Sequence, residues 1–317
     1  MAKNKAWLII IFAVIVYLIM AIYGDLGELL SVMEEFNWGF LFILFILTTI
    51  NYLIRFLKWN FFLKKAGIHL NLKDNLFVFF SGLSMIITPG KIGEIWKGWL
   101  IKDITGEKLS KTIPVVIVER ITDVSGLVIL SILGVLYYQE GIYLILILIL
   151  MLVGFFIVIK SKTISTKIIS VLEKRTGKYV VNVKTIHETF EKTMEPKGLI
   201  GMSMLSAFGW FFECLGLYLV IYGFGESISI ALSTFIFSFG SLAGALSMVP
   251  GGLGVAEATI SGLLQLFGLS ATLSVGIAII LRFGTLWYGA IMGLCVYLLF
   301  KRKIMKNKNL KADHNKK

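Results

Sequence analysis

Charge is scarce in this chain, and so are the residues that cross-link or bind metals. Of 317 residues, 16% are Asp, Glu, Lys or Arg, with two cysteines, three histidines and four prolines. Soluble domains carry about 25% charged residues and about 45–50% apolar ones. Here the apolar share is 57% and the mean hydropathy +0.86, more apolar surface than an aqueous core of this size can hide. Disordered chains and nucleic-acid binders are excluded on the same ground, although Lys+Arg exceed Asp+Glu by 31 to 19. Cys214 and Cys295 both lie in apolar runs, where a thiol acts as a small hydrophobe; a disulfide scaffold is excluded. His69, His187 and His314 have no Cys, His or carboxylate partner at ligand spacing, so no metal site is expected. No G-x-x-x-x-G-K-[ST] loop, nucleophile elbow or dinucleotide fingerprint occurs. The expectation is a chain without a cofactor and without enzymatic activity, whose transport would need another subunit to use ATP.

What is present is a series of long apolar runs. A bilayer crossing takes roughly 17–25 residues, and six regions qualify: 7–23, 38–57, 121–138, 141–159, 199–222 and 273–300. Two others are interrupted. Residues 76–88 stop at Pro89-Gly90, and 228–249 stop at Pro250-Gly251-Gly252 before 255–268 resumes. Short apolar segments broken by Gly and Pro read as re-entrant or broken helices lying against protein or a wet cavity. The expected architecture is an all-α polytopic membrane protein of six spanning helices plus two broken hairpins.

Basic residues orient it. With a cytoplasmic N-terminus, segments 1–6, 55–75, 91–123, 160–198 and 301–317 face inward and contain 30 of the 31 Lys and Arg residues; Arg282 alone lies in a span. The outward segments hold Asp25, Glu28, Glu34, Glu35, Glu140, Glu226 and Glu257, with no Lys or Arg. The positive-inside rule then predicts a cell-membrane protein with both termini cytoplasmic. The first run lacks a small-x-small cleavage site and reads as a retained span. Segment 160–198 reads as a solvated amphipathic connector, and the basic inner face also suits anionic headgroups.

The two broken segments align. Ser81-Gly82-Leu83-Ser84-Met85 precedes Pro89-Gly90-Lys91-Ile92-Gly93-Glu94, and Ala243-Gly244-Ala245-Leu246-Ser247-Met248 precedes Pro250-Gly251-Gly252-Leu253-Gly254 and then Glu257. Pro89 stands 31 positions before Arg120, and Pro250 stands 32 before Arg282. On the derived topology the halves run oppositely, which predicts an inverted repeat: residues 1–138, then 139–300 with its cytoplasmic loop 160–198, then the basic tail 301–317. Such repeats bring broken helices to a midplane site in secondary transporters.

The chemistry expected there is anion binding. A helix restarting after Pro-Gly exposes backbone N–H groups at the positive end of its dipole. Lys91 and Lys97 adjoin the first restart, and Arg120 and Arg282 offer forked contacts to a phosphate. Glu94 and Glu257 also suit capping of their own helices. Glu213 and Arg282, inside spans, need buried partners and are candidates to pair with each other. Glu119, Arg120 and Asp123 open another span, Arg120 and Asp123 sharing a helix face. Arg55 and Lys58 close the second span, where long basic side chains can snorkel.

With Thr88-Pro89-Gly90-Lys91-Ile92-Gly93-Glu94, Glu119-Arg120-x-x-Asp123, Pro250-Gly251-Gly252-Leu253-Gly254-x-x-Glu257 and Arg282, the sequence resembles the flippase-like membrane family, the lysylphosphatidylglycerol synthase transmembrane region. The resemblance implies movement between leaflets of an anionic phospholipid, an aminoacylated lipid or a polyprenyl-linked sugar. In the two-part synthases an aminoacyl-transferase follows the membrane part; the chain ends after its basic tail, so lysyl transfer is not expected from it. Partners expected are lipids with phosphate headgroups, a homo-oligomer, or a separate glycosyltransferase or aminoacyl-transferase; nucleic acid is not expected. Two other readings stay open: a transporter of a small anionic solute coupled to protons through Glu213, Glu94 or Glu257, and a lipid-modifying enzyme using Glu119, Asp123 or Glu213.

Overall fold

The computed structural model describes residues 6–88, 93–136, 146, 150 and 183–314. These are helical, with no strand among them. We number the helices α1 (Ala6–Tyr23), α2 (Leu26–Glu35), α3 (Gly39–Lys65), α4 (Leu72–Leu83), α5 (Trp96–Thr105), α6 (Leu109–Val135), α7 (Val183–Thr193), α8 (Pro196–Gly223), α9 (Ile230–Leu246), α10 (Val255–Leu266), α11 (Ala271–Arg282) and α12 (Tyr288–His314).

Local sequence fixes many of the ends. Asn71, Ser229 and Ser270 accept from backbone N–H groups three residues on, at 2.8, 3.1 and 3.2 Å, satisfying donors that a new helix leaves free. Pro196 opens α8, where its missing N–H costs nothing. Gly106 closes α5 with φ at +80°, a left-handed cap suited to glycine.

Helices α3, α8 and the run Ala271–Arg302 are long and apolar enough to cross a bilayer. A fourth crossing is added if Ile10–Tyr23 and Leu26–Glu35, bent by 92°, make one broken span. The expected crossing at 38–57 thus extends to Lys65, and 199–222 lies within α8. The run 273–300 is divided by a wide turn, Phe283–Trp287. Of the run 121–138, residues 121–135 belong to a longer helix that begins at Leu109 and tolerates Pro114 in its interior. Segment 141–159 lies almost wholly outside the described residues; of the 160–198 connector, α7 and the start of α8 are described.

The packing puts polar groups inside and apolar ones outside. On α3, Thr48, Asn51, Arg55 and Lys58 are buried at spacings of three and four, while Phe42, Ile46, Leu53 and Leu57 are exposed. The same outward stripes appear as Ile200, Met204 and Phe208 on α8, and as Ile291, Leu294 and Leu298 on α12. This reverses the solvent-facing pattern of a soluble helix and suits hydrocarbon outside, with costly polar groups turned inward.

Two large apolar clusters hold the bundle. One gathers Leu44, Trp210, Leu217, Phe235, Ile260 and Leu281 from α3, α8, α9, α10 and α11. The other gathers Trp59, Phe62, Phe79, Ile101 and Val115 from α3 to α6. A smaller third cluster, Ala13, Ile86, Leu253, Leu286 and Ala290, joins the two broken segments. At the wide turn, α3 supplies Thr48 Oγ1 to the Gly284 carbonyl at 3.0 Å and Tyr52 Oη to that of Thr285 at 2.9 Å.

Candidate functional site

At the first break, the Thr88 hydroxyl accepts from the Gly93 N–H at 2.8 Å and donates to the Met85 carbonyl at 2.7 Å. A Cβ on Gly93 would sit 2.5 Å from the Thr88 side chain, so only glycine fits this closure. Pro89, Gly90 and Lys91 lie outside the described residues. Glu94 follows in the short turn 93–95 ahead of α5 and is buried.

From Glu94 a continuous ionic network runs through the protein interior. Glu94 Oε1 meets Arg120 Nη1 at 3.1 Å, and Glu94 Oε2 meets Lys97 Nζ at 3.2 Å. Lys97 also donates to Glu119 Oε2 at 2.5 Å. Arg120 Nη2 donates to Glu119 Oε1 at 2.5 Å, while its Nη1 stands 3.0 Å from Asp123 Oδ2. Arg120 and Asp123, expected on one helix face, do meet.

Asp123 is the hub. Lys58 pairs with it directly, Ser206 Oγ donates to it at 2.8 Å, and Arg55 Nη2 lies 3.5 Å away. Lys58 and Arg55 are therefore not snorkelling: both are buried, because α3 turns its polar stripe toward α6 and α8 rather than toward the interface. Lys97, beside the restart, pairs with both Glu94 and Glu119. Two aromatic faces line it, Trp59 at 4.3 Å and Phe79 at 5.6 Å. The sequence reading missed Asn51 and Ser206; the 48, 51, 55, 58 spacing of polar residues inside an apolar run was the signal available for Asn51.

The second break is described in full. Met248 has φ at +56°, and Gly251, Gly252 and Gly254 follow at +62°, +67° and +82°. A Cβ on Gly252 would approach Gly244 Cα to 2.9 Å, so α9 and the returning chain touch backbone to backbone. Pro250 opens the short turn Pro250–Gly252. Glu257, fully buried, does two things. Its Oε2 accepts from the Gly254 N–H at 2.8 Å, the capping role, and its Oε1 accepts from Arg282 Nε at 2.7 Å. Arg282 Nη2 also donates to the Gly251 carbonyl at 2.5 Å, so one guanidinium grips both sides of the break. Trp287 Nε1 donates to Tyr17 Oη at 2.9 Å, and Tyr17 to Glu257 at 3.4 Å, tying α1 to the same place.

The described flank of the first break packs against the second. Built on Gly251, a Cβ would have Ile87 Cα at 3.5 Å and Leu286 beside it, and Ile86 and Leu253 pack in one cluster. Glu213, buried on α8, takes a hydrogen bond from Asn51 Nδ2 on α3. Arg282 has its shortest ion pair with Glu257.

Removing one partner of such a buried pair leaves an uncompensated charge, at about 3–5 kcal/mol, even where the intact pair adds little net stability. The arrangement thus holds cations at fixed positions in an apolar setting. Arg120 is 19% exposed along its side chain and Arg282 13%, against 5% or less for Arg55, Lys58, Lys97 and the carboxylates they meet. These two arginines are the most exposed of the charged side chains in these buried pairs. Among the described residues no group of three His, Cys, Asp or Glu side chains is placed to hold a metal ion.

The family model for the lysylphosphatidylglycerol synthase transmembrane region matches residues 7–293. The chain belongs to that family. Similar to this chain are UPF0104 membrane proteins of three organisms. The one from Pyrococcus horikoshii is 25% identical, with 95% of this chain and 98% of the relative covered. That of Methanothermobacter thermautotrophicus is 28% identical over 76% of this chain and 79% of its own length. One from Methanocaldococcus jannaschii is 25% identical over 69% and 95%. Membership in this family, together with the long apolar helices, makes the chain a membrane protein.

Proposed function

We propose that this protein is a flippase- or scramblase-like lipid transporter, moving a phosphate-bearing lipid between leaflets: an anionic phospholipid, an aminoacylated lipid or a polyprenyl-linked sugar. One observation carries the reading. Each helix break is followed by a glutamate that pairs with an arginine 26 or 25 residues on, Glu94 with Arg120 at 3.1 Å and Glu257 with Arg282 at 2.7 Å, and Ile87, just before the first break, lies against Gly251 of the second. Matched sequence segments forming matched ion pairs, with the flanks of the two breaks packed together, support an inverted repeat of residues 1–138 and 139–300, with six spans, two broken hairpins and both termini in the cytoplasm. In that arrangement broken helices supply N–H groups, and the two part-exposed arginines supply charge, where a phosphate crosses.

The physical task is to lower a solvation barrier. A charge at the bilayer centre costs from about 3 to above 10 kcal/mol; a guanidinium-lined path replaces the lost water while acyl chains remain in lipid. No bond is made or broken, so the reading needs no catalytic residue. A glycosyltransferase or aminoacyl-transferase making the lipid would act as a separate partner.

The test uses the full chain in liposomes containing acyl-labelled phosphatidylglycerol, with a membrane-impermeant reductant quenching the outer leaflet. Label from the inner leaflet becomes quenchable faster than in protein-free vesicles. If labelled phosphatidylglycerol and a labelled polyprenyl phosphate both stay in their original leaflet, the proposal fails.

A further inference from the structure

Helix α1 covers the place where the flanks of the two breaks pack together. Among its described side chains, Ala13 and Met20 are buried and Val16 and Tyr17 half-buried, while Ile10, Val14, Leu18 and Ile22 are exposed. Positions 13, 16, 17 and 20 make one narrow stripe at helical spacing. Ala13 packs in the cluster that holds Ile86, ahead of the first break, and Leu253 of the second. Val16 lies over Gly254, where a Cβ would stand 3.4 Å from Val16 Cγ1. Tyr17 donates to Glu257 at 3.4 Å and accepts from Trp287 at 2.9 Å.

This attachment is of a releasable kind. Lipid tails are as apolar as the side chains of a helix, so no hydrophobic force holds two helices together inside a bilayer. The stripe on α1 therefore loses little when acyl chains replace its protein neighbours. Its polar ties are the two bonds of Tyr17 and one from Tyr23 Oη to Gln265 Oε1 at 3.0 Å. Tyr23 stands beside the 92° bend between α1 and α2. At that bend Asp25 has φ at +60°, a left-handed backbone that strains a residue with a Cβ. Beyond it α2 is fastened on its own account: Asp25 caps it, Leu29 is buried, and Glu28 Oε2 accepts from Thr272 Oγ1 of α11 at 2.9 Å.

We propose that α1 is a lateral gate, which pivots at Gly24–Asp25 and withdraws Tyr17 from Glu257 to open the paired breaks to a lipid arriving from the bilayer. The proposal rests on the lipid-transport reading and adds the point of entry. Tyr17 is the latch. Its departure uncovers the Glu257–Arg282 pair, where the headgroup phosphate meets the guanidinium, and the acyl chains fill the gap that α1 leaves. The facing wall keeps its shape, because Thr48 and Tyr52 of α3 bind the turn that carries Trp287. Pivot and latch lie at different heights on α1, so fixing one does not fix the other.

Two measurements on the full chain test the gate, with Cys214 and Cys295 replaced by alanine. The first compares two disulfides. Val16→Cys with Gly254→Cys closes the latch side. Gly24→Cys with Val275→Cys staples the pivot, where a Cβ on Gly24 would lie 3.3 Å from Val275 Cβ, close to the roughly 3.5–4.5 Å of a disulfide. Oxidation is expected to stop exchange of acyl-labelled phosphatidylglycerol in the first variant, with recovery on reduction, and to leave the second exchanging.

Gly254 has φ at +82°, so the second measurement spares it. Nitroxides on Ile15→Cys of α1 and Leu266→Cys of α10, both exposed positions, report the distance between the helices in liposomes. A second, longer distance is expected, and Tyr17→Phe should enlarge its population about fivefold, the worth of one hydrogen bond. Exchange that continues with the Val16–Gly254 disulfide formed, equal arrest by both disulfides, or a single distance that Tyr17→Phe leaves unchanged overturns the proposal. Protein that shows the longer distance yet moves no labelled lipid refutes the transport reading, and leaves α1 as a swinging helix without that cargo.

Discussion

Glu94 and Arg120 stand 3.1 Å apart, joining the residue that follows the first helix break to the middle of α6. This is a long-range ion pair between two carriers of the sequence motif. Because both sit in an apolar surround, each depends on the other for its charge to be tolerable.

Substituting Glu94→Gln should therefore destabilise the protein by about 3 kcal/mol. Arg120→Gln should cost a similar amount, and the double variant less than the two together. Thermal unfolding in detergent, arranged as a double-mutant cycle, measures the difference. Strict additivity would show that the pair is incidental.

At the second break the fork geometry of Arg282 matters more than its charge. Arg282→Lys keeps the cation but reaches only one of Glu257 and the Gly251 carbonyl. Losing one charge-assisted hydrogen bond costs about 1.5 kcal/mol, so lipid exchange should fall about tenfold. Trp287→Phe, which removes only the bond to Tyr17, should reduce it far less. Initial quenching rates in liposomes report both.

Lys58 sharpens the contrast between sequence and structure. As a snorkelling residue it would be replaceable without effect; paired to Asp123 and bonded to Ser206 at 3.0 Å, it is not. Lys58→Met should destabilise by about 3 kcal/mol, comparable to loss of Arg120, while Ser206→Ala should cost about 1 kcal/mol. Melting temperatures of the variants decide the order.

Part of the framework was legible from periodicity and charge. The apolar runs 38–57 and 199–222, the Pro250-Gly251 break and the Arg120–Asp123 face each follow from local spacing. The roles of Arg55, Lys58 and Lys97 do not, because a basic residue near the end of an apolar run looks the same whether it turns to the interface or to a neighbouring helix. What decides is which face α3 presents to α6 and α8, a tertiary fact. Asn51 was missed for the same reason: its partner, Glu213, is 162 positions away.

The proposed orientation predicts a labelling pattern. With Cys214 and Cys295 replaced by serine or alanine, Glu226→Cys should react with an impermeant maleimide from outside sealed cells, and Lys301→Cys only after permeabilisation. The reverse pattern would invert the topology.

At the surface, the Lys65 ammonium, bonded to the Glu195 carboxylate, holds that carboxyl below its ordinary range by hydrogen bonding first and charge second. A lowered folded value means the pair contributes above the unfolded pKa and loses its contribution as pH falls through the folded one. Lys65→Ala should return Glu195 to an ordinary carboxylate titration, read by carboxyl-carbon magnetic resonance. Both side chains are well exposed, so the melting temperature should hardly move.

At the wide turn Phe283–Trp287, α3 supplies a hydroxyl to each of two successive carbonyls, Thr48 to that of Gly284 and Tyr52 to that of Thr285. These two rivets fasten the last crossing to α3 just beyond Arg282. A swing of α12 alone would have to shear both, so whatever opens a route for a lipid must carry α3 and the final crossing together, as one plank.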